Sequence, residues 1–200
     1  FHPCVLAQQV TPPEAQPPAA GARAALAALG YAENAMDGFF YTADEEKLTV
    51  RLLVYSGNTY KRYAASLLAD QLEAVGVAVA LEQVEDFEVF REKVLSGDFD
   101  LYIGEVKLYN NMDMSPFMEG GGASAGIVQS EALTAAYTAF RGNMSAAGAF
   151  EEAFAAEMPF VPLLWRNGTV VHTRSIEGLT SSLSNVFYSL GQLRFAPADS

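Results

Sequence analysis

Leu48-Thr-Val-Arg-Leu-Leu-Val-Tyr55 opens the stretch, running to Gly104, whose reading decides the fold. The run is β-branched and apolar and long enough for one strand. From Asn58 to Val75, the residues Tyr60, Tyr63, Ala64, Leu67, Leu68, Leu72 and Val75 recur at spacings of three and four, which gives a helix one apolar face. Asn58 is of the type that caps a helix start, and Gly76 stands where a glycine ends one. Val77-Ala-Val-Ala-Leu81 is a second apolar run. Asp86 caps a second helix carrying Phe87, Phe90 and Val94 and closed by Gly97. Phe99-Asp-Leu-Tyr-Ile103 is the third run. This alternation predicts an α/β fold with a βαβαβ core, its strands parallel and joined by right-handed crossovers. Ligands of such sheets gather at the carboxyl ends of the strands. Those ends are Ser56-Gly57-Asn58, the turn from Glu82 to Glu85, and Gly104 to Asp113.

Upstream, residues 1–20 carry five of the nine prolines, which predicts an extended, polyproline-like arm or linker over 1–21. Ala22 to Leu29 is Ala-rich and helical in propensity, stopped by Gly30. Tyr31 to Asp44 reads as a loop with a turn at Asp37-Gly38. Downstream, Tyr109 to Ser130 is long, polar and irregular. Ser130 caps a helix with Leu133, Ala136, Tyr137 and Phe140 on one face, ended by Gly142. Ser145 is placed to cap another carrying Phe150, Ala153 and Phe154. Phe160 to Trp165 and Thr169 to Thr173 flank Arg166-Asn167-Gly168, a hairpin signal, with Pro162 marking an edge strand.

Two hundred residues, half of them hydrophobic, suffice for a real core. The net charge of −12 argues against nucleic acid and anionic membrane surfaces, which need clustered Lys and Arg. Cys4 is the single cysteine, so no internal disulfide forms. No apolar run reaches the roughly 18–20 residues that span a bilayer. Phe1 to Val10 does not read as a signal peptide. A first residue other than Met suggests an excised or processed piece.

Catalytic and metal-binding patterns are weak. A Ser or Cys nucleophile usually needs a nearby His, and only His2 and His172 are present. His2 lies in the expected arm, and packing or surface exposure explains His172. No His pair, Cys pair or EF-hand spacing marks a metal, so neither metal nor cofactor is expected. Asp98 and Asp100 share one strand face and read as a solvated strand entry rather than a carboxylate pair. Gly120-Gly-Gly-Ala-Ser-Ala125 matches G-x-G-x-x-A without the preceding strand that a dinucleotide site needs. Ser56-Gly57-Asn58-Thr59 joins a strand to a helix N-terminus, which suits an anion, although a plain turn explains it as well. The best candidate site is Glu105 to Asp113. It follows the third strand and mixes carboxylates, aromatics and amides: Glu105, Lys107, Tyr109, Asn110, Asn111 and Asp113.

Leu48 to Val54, followed by the run from Tyr63 to Val79, resembles the extracellular solute-binding proteins of family 5. These are the oligopeptide-, dipeptide- and nickel-binding components of ABC importers. Ser96-Gly-Asp-Phe-Asp-Leu-Tyr-Ile-Gly104 resembles their strand after a "gdfDl" turn. Ala25-Leu-Ala-Ala-Leu-Gly-Tyr31 is similar to their "LL-x-x-aGy" helix, and Met158 to Leu163 with Ile176-Glu-Gly178 to a late "P-x-x-P-L … v-x-G" segment. The likeness runs from about Ala22 to Leu190, with five pieces in the family's order.

The resemblance implies a type II periplasmic-binding-protein-like lobe with a mixed sheet and flanking helices. Residues 22–200 would be the C-terminal lobe of a two-lobed receptor, the first lobe being absent. It implies no catalysis: a solute is captured outside the membrane and handed to permease subunits. The chain is expected to be a monomer in the periplasm or at the cell surface, lipid-anchored through a part N-terminal to it. Peptide-binding relatives contact their ligand just after the third strand, at positions matching Glu105, Val106 and Leu108. Several carry an Asp where this chain has the apolar Leu108, so dipeptides, oligopeptides, other small solutes and metal chelates all remain open. The expected ligand-binding set is Glu105, Val106, Leu108, Tyr109, Asn110, Asn111 and Asp113. The contrasting reading is a small α/β hydrolase-like enzyme with carboxylates near Glu105 and Asp113 as acid and base.

Overall fold

In the computed structural model, residues 18–107, 113–118, 120–164, 170–181, 185 and 187–195 are described. They fall into two units that divide between Glu105 and Val106.

The first unit begins with α1 (Pro18–Ala28). It starts four residues before the expected Ala22, because proline is tolerated in a first helical turn, where its missing N–H has no partner to lose. Residues 18–21 therefore belong to the helix, and residues 1–17 of the expected arm lie outside the described residues. Arg23 pairs with Glu33 and donates to the Ala74 carbonyl at 3.1 Å. The expected loop after Gly30 contains a short antiparallel ribbon, β1 (Ala32–Glu33) with β2 (Phe40–Tyr41). The turn falls at Asp37-Gly38 as read, with Gly38 at φ +76°. Two-residue strands are too short to show a period, so only the turn was legible.

The sheet follows: β3 (Thr49–Tyr55), α2 (Thr59–Ala74), β4 (Ala78–Val84), α3 (Phe87–Ser96) and β5 (Leu101–Tyr102). Strand order is β4-β3-β5, and both pairings are parallel, in register Leu52↔Leu81 and Leu52↔Leu101. The mixed pairing expected of the sheet is divided: this sheet is parallel throughout, and antiparallel pairs occur in separate ribbons. β4 extends three residues beyond Leu81, since an edge strand tolerates the polar Glu82 and Gln83. The caps are as read. The Asn58 side chain accepts from the amides of Tyr60 and Lys61, and that of Asp86 from Glu88 and Val89.

β3 is central and covered on both faces. Leu52 and Val54 pack with Ala65 of α2 and with Ile103. Tyr55 points the other way, onto Phe90 of α3, and Lys93 of α3 reaches Glu82 of β4 at 3.0 Å. The two helices thus lie on opposite faces of the sheet. The apolar face read on α2 is only partly used: Ala64, Ala65 and Leu68 meet the sheet, while Tyr60 and Tyr63 are 64% and 66% exposed. At the amino end, Arg51 holds Asp98 at 2.7 Å and Asp100 at 3.3 Å, and Lys93 also reaches Asp98. Asp98 and Asp100 tie β5 to β3; Lys93 and then Arg51 hold the Asp98 carboxyl below its ordinary range, and the Arg51 backbone amide, then its guanidinium, does the same for Asp100. Lys47 and then Tyr41 hold Asp37 lower still, at about 2.

The second unit packs α4 (Glu131–Gly142) against α5 (Ala147–Glu157) around Met114, Leu133, Tyr137, Phe140 and Phe150. Ser130 caps α4 as expected, and its backbone and hydroxyl both bond Glu157. Two boundaries differ from expectation. Gly142 is the last residue of α4, not its stop. Asn143, not Ser145, makes the next cap, its side chain accepting from the Ser145 amide at 3.0 Å, because Ser145 already lies within the single 3-10 turn that precedes α5. The expected hairpin is not formed by its flanks: 161–164 and 170–173 carry no strand, and Pro162 supplies no amide hydrogen for a ladder. Its Arg166-Asn167-Gly168 turn lies outside the described residues. A short ribbon pairs β6 (Ile176–Glu177) with β7 (Arg194–Phe195).

Gly76 is a tight point of the first unit, where backbone meets backbone. It has φ +90°, its carbonyl accepts from Phe40 at 2.8 Å, and a Cβ there would sit 2.7 Å from the Gly38 carbonyl oxygen. Gly76→Ala is expected to lower stability by about 2 kcal/mol in urea unfolding, from the left-handed backbone plus the collision. A loss under about 0.5 kcal/mol would contradict that packing.

Candidate functional site

From β3 the chain turns through α2 to β4 on one side, then crosses through α3 to β5 on the other. The carboxyl ends of β3 and β5 are therefore the point where the connections diverge onto opposite faces, and a crevice opens between such ends. Three side chains meet there. Asn58, just after β3, donates its Nδ2 to Glu105 Oε2 at 3.4 Å, while its Oδ1 caps α2. Lys61, in the first turn of α2 and only 15% exposed, brings its Nζ to 3.5 Å from the same oxygen. Glu105 follows β5 and remains open to solvent. An amide, an ammonium and a carboxylate in one place suit hydrogen bonding to a polar ligand.

Glu105 was legible from its place after the third strand. Lys61 was not, since it looked like one more polar residue on a helix. The signal was its spacing: three residues beyond the Asn58 cap, it occupies the helix turn that faces β5. The anion reading of Ser56-Gly57-Asn58-Thr59 loses its donors, because Asn58 already takes the amides of Tyr60 and Lys61.

Val106 is half-buried and begins the second unit. Leu108, Tyr109, Asn110 and Asn111 lie outside the described residues. Asp113 has internal partners. It accepts from the Ser115 amide at 3.0 Å, the Ser115 hydroxyl at 2.9 Å and the Tyr137 hydroxyl at 2.8 Å. These bonds fasten the chain before α4 to the helix. They hold the Asp113 carboxyl below its ordinary value, with the Ser115 amide the largest cause. Burial, then Asp113, pushes Tyr137 up to about 12. A carboxylate kept ionised in this way is a poor general acid, so the acid–base reading of Glu105 and Asp113 is not favoured.

Gly120-Gly121-Gly122 follows a 3-10 turn at Ser115–Phe117 and precedes no helix directly, so it is a tight turn. His172 is exposed and its ring Nδ1 lies 2.9 Å from the Thr173 carbonyl oxygen. Among the described residues, no group of three or more His, Cys, Asp or Glu is arranged for a metal, and no helix is long and apolar enough to cross a membrane. A separate open hollow of about 240 Å³ lies beside β4, lined by Thr59, Arg62, Tyr63, Ser66 and Gln83.

Residues 3–127 match the family described as bacterial extracellular solute-binding proteins, family 5 Middle. The fold is that of solved binding proteins. The oligopeptide-binding protein AppA from Bacillus subtilis, in complex with a nonapeptide, is 16% identical, with TM-score 0.61 over 88% of this chain and 37% of its own. NikZ from Campylobacter jejuni, in complex with Ni(L-His), is 15% identical, with TM-score 0.64 over 88% and 38%. The periplasmic EDTA-binding protein EppA is 14% identical, with TM-score 0.65 over 88% and 35%. The chain thus spans well under half the length of these proteins. No curated protein matches it.

The Asp113 bonds carry a pH signature. A carboxyl with a depressed folded pKa gives stability that is full above its unfolded value of about 3.8 and is lost as pH falls through the folded value. Tyr137, with a raised pKa, gives stability that is full below about 10 and is lost as pH rises toward 12. Tyr137→Phe is expected to cost about 1 kcal/mol at pH 7 and to move the Asp113 pKa upward. The NMR titration of its carboxyl carbon reads that shift, and an unmoved midpoint would contradict the assignment.

Proposed function

The chain belongs to the bacterial extracellular solute-binding proteins of family 5, and from that premise we propose that it captures a small solute as the substrate-binding component of an ABC importer. The observation that carries this is the meeting of Asn58, Lys61 and Glu105 at the divergence of β3 and β5. The relatives are binding proteins rather than enzymes, and the crevice offers groups that recognise a polar solute. We read residues 22–200 as one lobe of a two-lobed receptor that closes by a hinge on its ligand and delivers it to permease subunits. The place of action is extracytoplasmic, with anchoring by lipid on an upstream part of the polypeptide.

A peptide is the leading ligand, in line with the nonapeptide held by AppA. Its ammonium suits Glu105, while its carbonyls suit Asn58 and Lys61. The segment from Val106 to Asp113, including Leu108, Tyr109, Asn110 and Asn111, would extend this lobe's share of contacts. Hinge closure needs a ligand with higher affinity for the closed state, which means contacts to both lobes. This chain, holding one share, should bind weakly.

NMR titration of the whole chain with trialanine tests the reading. A dissociation constant in the millimolar range is expected, weakened about five-fold or more by Glu105→Gln and by Lys61→Met. No saturable binding, or binding indifferent to both substitutions, would overturn it.

A further inference from the structure

We propose that Tyr55 and Phe87 form an aromatic shelf beside the β3/β5 crevice that selects solutes carrying an apolar, above all aromatic, group next to their polar head. This deepens the solute-binding reading and rests on it. Tyr55 is the last residue of β3, and its ring lies over Gly57, where a Cβ would collide with the tyrosine hydroxyl. Asn58, which reaches Glu105, is the next residue. The ring therefore lies over the residue that precedes the first member of the polar trio.

Phe87 opens α3, the end of that helix nearest the carboxyl ends of the strands, since the chain has just left β4 at Val84. Its ring meets Tyr55 edge-on, with centroids 5.4 Å apart at 78°. Phe90 lies buried against both, at 6.1 Å from Tyr55 and 6.3 Å from Phe87. Core packing accounts for Phe90 and for the half-buried Tyr55. It leaves Phe87, a large ring that is 50% exposed at the end of α3 nearest the strand carboxyl ends.

The next strand repeats the arrangement. Tyr102 pairs with Leu53, which sets it on the same sheet face as Tyr55. Its ring lies over Gly104, where a Cβ would stand 3.1 Å from the ring, and it meets Phe99 edge-on at 4.9 Å. Both lips of the crevice thus carry the pattern Tyr-x-Gly, Tyr55-Ser-Gly57 and Tyr102-Ile-Gly104. Glycine at each lip lets the ring lie flat over the backbone, and any side chain there would lift it.

A peptide whose ammonium lies at Glu105 would set its next side chains against this shelf. Aromatic contact of this kind favours an aromatic over a methyl side chain by roughly three- to ten-fold.

The test compares Ala-Phe-Ala with trialanine on the whole chain, by NMR titration. The wild type is expected to prefer Ala-Phe-Ala by that factor. Phe87→Ala is expected to bring the ratio near one by weakening Ala-Phe-Ala far more than trialanine. Phe87→Leu, which keeps an apolar residue at the helix start, should retain part of the preference, and it decides the matter if Phe87→Ala fails to fold. Equal binding of the two peptides by the wild type, or a ratio indifferent to residue 87, overturns the shelf alone. Binding of neither peptide overturns the solute-binding reading and the shelf together.

Discussion

Burying both faces of β3 is the constraint on which the first unit depends. Leu52, Leu53 and Val54 are all buried, and successive residues of a strand point to opposite faces, so the strand needs cover on each side. One helix cannot supply it. α2 covers the face of Leu52 and Val54, and α3 the face of Tyr55. Once the helices are on opposite faces, the neighbours of β3 must arrive from opposite directions, and a crevice follows at its carboxyl end. The candidate site is a consequence of how the apolar run from Leu48 to Tyr55 is covered.

The two ends of the sheet are differently built. At the amino end, Arg51 pairs with Asp98 and Asp100 and ties β5 to β3. These pairs are exposed, so each contributes little by itself. At the carboxyl end Lys61 pairs with Glu105, and Phe87 at the start of α3 is half exposed.

Much of this was legible before the structure. Asn58, Asp86 and Ser130 are caps because their side-chain oxygens meet the first free amides of a helix, and Gly97 ends α3 with φ +74°. Strand and helix order followed from period alone. What was missed depended on contacts distant in sequence. The bond that Tyr137, 24 residues on, makes to Asp113 was not legible beside its reading as a ligand residue. Asp98 and Asp100 are exposed, as a solvated strand entry should be, but their pairing with Arg51 was not legible. Lys61 and Phe87 were legible only as members of helices, because their partners Glu105 and Tyr55 lie on neighbouring strands.

The most direct measurement is a map of amide shift changes across the whole chain on addition of a short peptide mixture. The account predicts that they concentrate at residues 55–61, 87 and 103–106. Changes confined to the hollow at Arg62, Ser66 and Gln83, or spread without focus, would contradict it.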